Sequence, residues 1–268
     1  MGGACKHNSM KKLKFFIGII ASLFLFSSCS IREEIDISNA NGYYSVNVDM
    51  SQAFEMMKGM GGKEMLPDSL TKINIDTVVS LGRQIDSLDE NFSDIEKNFF
   101  RAGTVHMNMN MKENLVTMEM KYPVSGASQL NQLFQALHYV DSLGKLKKKD
   151  NPASLGGITD PKEMGGFSPD MFSSMASQGF PYIVTDTSIE RKAMSTEEIK
   201  QRLGDQLNSA AMFMSQMSYV TTFKLPRPVK KYEGKNIRVL DDKKTVVFSA
   251  NLSELMDDPA ANHFYIVF

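Results

Sequence analysis

Tryptophan is missing from this 268-residue chain, histidine occurs four times and cysteine twice. Each scarcity removes a class of explanation. Both cysteines, Cys5 and Cys29, lie near the N-terminus, so everything after Cys29 is without a disulfide framework or a thiolate metal site. His106, His138 and His263 are scattered singly along the chain and do not form a metal-ligand constellation. There is no Gly-x-Ser-x-Gly elbow, no His-Glu-x-x-His, no nucleophilic cysteine and no evident carboxylate pair, so no enzyme activity and no cofactor are expected. An excess of positive charge is also lacking. Lysine plus arginine total 30 against 31 acids, and residues 1–28 hold four of those lysines and no acid, which leaves −5 on the remainder. That balance argues against nucleic acid as a partner.

What is present begins at the N-terminus. Lys11, Lys12 and Lys14 precede a nearly unbroken apolar run from Phe15 to Phe26, and small residues lead from it into Cys29. A run of this length, twelve residues, suits the core of a cleavable export signal, whereas a membrane-spanning helix takes about 20. The segment Leu25-Phe26-Ser27-Ser28-Cys29 resembles a lipobox, with Phe26 at the position that usually holds Leu, Val or Ile. The resemblance implies diacylglycerol on the Cys29 thiol and cleavage before it. Residues 1–28 are therefore expected to be a signal peptide, with Met10 the natural start and residues 1–9 an upstream extension. Residues 29–34 are expected to form a short lipidated tether, followed by one α+β domain over 35–268.

Ser30, rather than Asp, follows the cysteine, which in the sorting logic of diderm bacteria directs a lipoprotein to the outer membrane. Glu33 and Glu34 loosely resemble the acidic export signals of Bacteroidetes surface lipoproteins.

Alternating apolar residues around Asn39-Ala40-Asn41-Gly42 predict a β-hairpin over Glu34 to Met50, and a short helix is expected to begin near Phe54. Val78, Leu81, Ile85, Leu88, Phe92, Ile95 and Phe99 are spaced by threes and fours, which predicts a helix from Asp76, as N-cap, to Arg101 before Gly103. Its stripe faces either the protein's own sheet or a partner. On the other side Asp86, Asp89, Glu90 and Asp94 lack EF-hand spacing and read as a solvated face.

Thr104 to Met111 and Leu115 to Tyr122 predict a strand pair in which Met107, Met109, Met111, Met118 and Met120 alternate. Thioethers in this pattern suit Cu(I), but packing in a core is the reading taken, with a copper-binding protein as an alternative. A helix is expected from Ser128 to Leu143, stopped by Gly144. Residues 144–181 are rich in Gly and Pro yet carry Met164, Phe167, Met171, Phe172 and Met175. These five are the candidate apolar surface for a ligand or partner. Strands follow at Tyr182–Thr185 and Ile189–Lys192, then a helix from the capping box Ser195-Thr196-Glu197-Glu198. Further strands are expected at Val220–Leu225, Ile237–Leu240, Thr245–Ser249 and His263–Phe268.

Hairpins interleaved with amphipathic helices predict an α+β fold, a mostly antiparallel sheet with helices on one face. The helices break the strand succession that a membrane barrel needs.

The signal, the Glu-rich start, the Gly42-Tyr43-Tyr44 hairpin ending Asp49-Met50-Ser51 and the Met-rich loops resemble a type of uncharacterised Bacteroidetes envelope lipoprotein. Over Tyr219 to Ser249, a strand, Leu225-Pro226, Gly234 and Thr245-Val246-Val247-Phe248 resemble the LppM-like lipoproteins, without the tryptophan that family has near Phe248. That second resemblance implies an αβ domain that binds lipid or glycolipid. The function expected is a non-catalytic lipoprotein anchored in the bacterial outer membrane through Cys29, with a lipid or an envelope protein as partner. An envelope hydrolase without a recognisable motif is the alternative.

Overall fold

The computed structural model describes residues 30–61, 74–81, 97–98, 101–147, 182–193, 195, 197 and 217–268. Over these residues the chain is α+β and mostly sheet, with ten strand pairings of which nine are antiparallel.

The first hairpin forms as its alternation predicts. β1 (Ser30–Asp36) pairs with β2 (Gly42–Asp49), and a turn at Asn39 joins them, where the side chain accepts the Asn41 amide at 2.8 Å. Gly42 is required there, because a Cβ would stand 2.0 Å from the Asp36 carbonyl oxygen and 2.9 Å from that of Val124. α1 (Ser51–Gly61) follows directly.

β4 (Thr104–Asn110) and β5 (Leu115–Val124) pair as expected, and α2 (Ala127–Lys147) packs Leu130 and Leu133 into the core. Each such leucine is worth about 1.5–3 kcal/mol of burial. Gln129 accepts the Ser125 amide at 2.8 Å and closes the first turn of α2. β6 (Tyr182–Val184), β7 (Ser188–Arg191), β8 (Ser218–Lys224), β10 (Ile237–Val239), β11 (Thr245–Asn251) and β12 (Phe264–Val267) all fall where their patterns predict. β3 (Asn74–Ser80), β9 (Lys231–Gly234), α3 (Leu252–Asp257) and α4 (Pro259–Asn262) complete the described elements.

The strands form two sheets. One runs β10-β11-β8-β1-β2-β5-β4-β3, and the other β6-β7-β12-β9. The pairing of β1 with β8 is the parallel one. Register places Ile31, Glu33 and Ile35 on the same face as Tyr44, Val46 and Val48, as Tyr219, Thr221 and Phe223, and as Val246, Phe248 and Ala250. All twelve are buried. The small sheet meets this face through Tyr182 against Phe223 (centroids 5.9 Å apart) and Phe264 against Phe248 (5.3 Å). α2 meets it through Phe134 against Tyr44 (5.2 Å). The opposite face carries Arg32, Glu34, Lys121 and Ser249, exposed or partly so.

Four expectations are corrected. Residues 30–34 are not a tether, because they are the body of β1, clasped by β2 on one side and β8 on the other. The helix from Asp76 does not form: Asp76 lies inside β3, opposite Asn108, and Val78 is on an exposed edge strand. Its run Ile75-Asp76-Thr77-Val78-Val79 is β-branched at four of five positions, which favours strand over helix despite the three-and-four spacing. Residues 97–98 and 101–102 are helical before Gly103, and the rest of the predicted stripe, from Ile85 to Phe92, Ile95 and Phe99, lies outside the described residues. Gly144 does not stop α2, which continues to Lys147. Finally, the strands divide between two sheets where one was expected. No described helix is long and apolar enough to cross a membrane.

Candidate functional site

A carboxylate occupies the middle of the buried face. Glu33 is 3% exposed, and it is held inward by period-two alternation with Ile31 and Ile35. Burying an unpaired carboxylate would be prohibitive. Here hydroxyls from three other strands satisfy it. Tyr44 of β2 donates to Oε1 at 2.9 Å, while Tyr219 and Thr221 of β8 donate to Oε2 at 2.7 and 2.9 Å. Tyr182, from the small sheet, donates to Oε2 as well, and its hydroxyl is 3.3 Å from those of both Tyr219 and Thr221.

Arg191 of β7 is fully buried on the same side. Its Nε donates to the Asn262 carbonyl at 2.8 Å, and its guanidinium lies 4.0 Å from the centroid of Phe248, 5.1 Å from Phe264 and 5.5 Å from Tyr219. Stacking on aromatic faces suits arginine better than lysine, because the guanidinium is planar and weakly hydrated. Asn262 is itself fixed by donating its amide to the Leu255 carbonyl.

Burial pushes the hydroxyl pKa values of Tyr44, Tyr182 and Tyr219 well above the ordinary tyrosine range, and the Glu33 charge pushes each further up. For Tyr182 and Tyr219 the charge of Arg191 acts in the opposite direction. All three tyrosines are therefore neutral donors at neutral pH and not bases. Both oxygens of Glu33 and the four hydroxyls around them are engaged with one another and shut away from solvent. Chemically the cluster clamps: Glu33 ties strands β1, β2 and β8 to the small sheet through Tyr182. A second tie is made by Asn131 of α2, whose side chain accepts the Val184 amide at 3.2 Å and donates to the Val184 carbonyl.

The open face carries a smaller network. Glu34 accepts from Tyr43 at 2.6 Å and pairs with Lys224, and Lys121 lies 4.0 Å from the Tyr43 ring centroid. Burial would raise the Glu34 pKa, but the hydrogen bonds from Lys224 and Tyr43 outweigh it and hold the carboxyl below its ordinary value. At the sheet's edge His106 contacts Asp76 at 2.7 Å, a pair 30 residues apart in sequence. Among the described residues, no three His, Cys, Asp or Glu side chains are grouped to hold a metal.

Cys29 and the candidate surface of Met164, Phe167, Met171, Phe172 and Met175 lie outside the described residues, as does the acidic group from Asp86 to Asp94. Of the alternating methionines, Met109 and Met111 are buried, and Met107, Met118 and Met120 pack against the core. His263 is the C-cap of α4, its backbone amide donating to the Ala260 carbonyl. From sequence Glu33 was read only as part of an acidic export signal, and Tyr182 and Arg191 were not singled out. The signal was available for two of the three, since Ile31-x-Glu33-x-Ile35 and Ile189-x-Arg191 put each charge on an apolar face by alternation. Comparison finds no matching protein-family model, curated protein or solved structure.

Proposed function

We propose that this chain is a lipid-anchored, non-catalytic protein of the bacterial outer membrane, of the uncharacterised Bacteroidetes lipoprotein type, which binds a lipid or an envelope protein. The observation that carries the reading is the N-terminal pattern: a basic segment, a nearly unbroken apolar run of twelve residues, small residues, then Cys29 with no further cysteine after it. Placement of the first strand directly after that cysteine supports it, since among the described residues the sheet begins at Ser30. The closed Glu33 cluster supports the non-catalytic reading, because its charged and hydroxyl groups serve one another and present nothing to a substrate. Methionines packed in or against the core favour a structural role for them over copper binding.

In this reading the fold is a two-layer α+β sandwich: α2 and the small sheet cover one face of the large sheet and leave the other to solvent. The ligand or partner docks on Met164, Phe167, Met171, Phe172 and Met175. Labelling cells with an alkyne fatty acid should mark the wild-type protein and not Cys29→Ala, which should leave the membrane fraction. A Cys29→Ala protein that stays in membranes without label would make the uncleaved signal the anchor. Mass spectrometry of lipids and proteins retained by the purified mature chain reads out the binding half, and an empty protein would remove it.

A further inference from the structure

We propose that the end of the large sheet at which β1 begins is a membrane-facing surface, with the β4–β5 turn at the lipid headgroups and the β1–β2 turn pointing away. This rests on the lipidation of Cys29. Ser30 pairs with Asp49 of β2 and with Ser218 of β8 at once, and it is buried. Its neighbour in sequence is the cysteine, about 3.8 Å away between Cα atoms across a trans peptide. A lipid on Cys29 is thus joined, with no residue of slack, to a strand held on both sides. A flexible tether would let the domain turn freely over the bilayer; this attachment does not. β1 is also fourth of eight in the strand order, so the anchor meets the sheet near the middle of its end and not at a corner.

Register identifies what shares that end. It gathers Asp49 at the close of β2, Ser218 at the start of β8, Asn251 at the close of β11, and Asn110 opposite Leu115 where β4 and β5 join. Lys112 and Glu113 in that turn are exposed, as are Asn251 and, in α1, Glu55. The side chains are polar, with no exposed large apolar group among the described residues there, which suits contact with headgroups and not insertion between acyl chains. At the opposite end stand Asp36, Gly42, Lys224 and Thr245. Seven strand residues at about 3.3 Å each set the two ends roughly 20 Å apart, twice the range over which surface charge acts at physiological salt.

The absence of tryptophan makes the orientation measurable without background. Glu113→Trp marks the near end and Ala40→Trp the far end, both at exposed turn positions. Full-length lipidated protein, purified from membranes, is placed in phosphatidylcholine vesicles carrying a nitroxide on a fraction of the headgroups. The expected result is loss of most of the Glu113→Trp emission and little of the Ala40→Trp emission. Acyl labelling and vesicle flotation are scored on the same samples. Labelled, floating protein with equal quenching at the two sites, or with the order reversed, overturns the orientation and leaves the anchor standing. Protein without label overturns the anchor, and the orientation with it. Circular dichroism checks each fold, and Lys112→Trp replaces Glu113→Trp if that variant does not fold.

Discussion

Strands β1 and β3 invert the usual relation between composition and burial. β1 reads Ser-Ile-Arg-Glu-Glu-Ile-Asp, with four charged residues in seven, yet it sits in the middle of the large sheet with Glu33 in the core. β3 reads Asn-Ile-Asp-Thr-Val-Val-Ser, richer in β-branched residues, yet it is an edge strand on which Val78 is 64% exposed. Composition did not decide either position. Partners did: β1 finds two strands and four hydroxyls that satisfy its carboxylate, while β3 pairs, among the described residues, with β4 alone. A charge in the core is tolerable when its hydrogen bonds are complete, and an apolar side chain at an edge needs no such arrangement.

The comparison breaks most severely at Glu33. Glu33→Ala leaves the hydroxyls of Tyr44, Tyr182, Tyr219 and Thr221 around a void, and losing one member of a buried charged network costs about 3–5 kcal/mol. Arg32→Ala, one residue away on the exposed face, should change stability by less than about 0.5 kcal/mol. Urea unfolding of both variants reads the difference. Equal losses would mean that the strand, and not the inward carboxylate, is what the sheet depends on.

Tyr182→Phe is a narrower cut. It keeps the ring against Phe134, Phe223 and Phe264 and removes only the hydroxyl that reaches Glu33 from the small sheet. A hydrogen bond to a charged group is worth about 1.5–3 kcal/mol, and that loss is expected at unchanged denaturant slope. A double-mutant cycle with Glu33→Gln should show coupling, because the two residues share the bond. Additive effects would detach the small sheet from the clamp.

Much of the fold was legible, and the failures have identifiable causes. Alternation around Gly42, the paired methionine strands and the strand patterns over Ile237–Leu240 and Thr245–Ser249 carried local information, and each element formed. The tether over 30–34 was misread because charge density was taken for solvation, although Ile31 and Ile35 flank Glu33 at period two. Asp76 to Leu81 was misread because the step from Val78 to Leu81 was taken as the start of a heptad stripe, although the run from Ile75 to Val79 is mostly β-branched. The Glu33 cluster could not be read as a unit. Tyr182 is 149 residues from Glu33 and Tyr219 is 186, and no local pattern records such pairings. The split into two sheets was hidden for the same reason.

On the open face the same strand offers a weaker test. Glu34 and Lys224 form a partly exposed ion pair, worth under about 1 kcal/mol. Because the folded Glu34 pKa lies below 4.5, its contribution is present above that value and is lost as pH falls through the folded pKa. The hydrogen bond to Glu34 raises the Lys224 pKa above 10.5, so that side of the pair contributes fully below 10.5 and is lost as pH rises through the folded pKa. Glu34→Gln should therefore differ from wild type across the neutral range and converge with it in acid. Molar salt should shrink the neutral difference. A difference that persists below the ordinary carboxylate range would assign it to the Tyr43 hydroxyl contact and not to charge.

The smallest effect is expected at β3, and it is the one that would most sharpen the contrast. Val78→Ser removes an apolar, β-branched side chain from a sheet, which would cost about 1–3 kcal/mol or more in a core. At this edge nearly two thirds of the residue already meets water, so little area leaves solvent on folding and only strand propensity, under about 1 kcal/mol, is at stake. Within about 0.5 kcal/mol of wild type is the expected shift in unfolding free energy. Together with a large loss in Glu33→Ala, that result would make the polar strand, and not the apolar one, the member of the pair on which stability depends. A loss above about 1 kcal/mol would instead show that Val78 is covered in the folded protein, and the inversion between the two strands would fail at its apolar end.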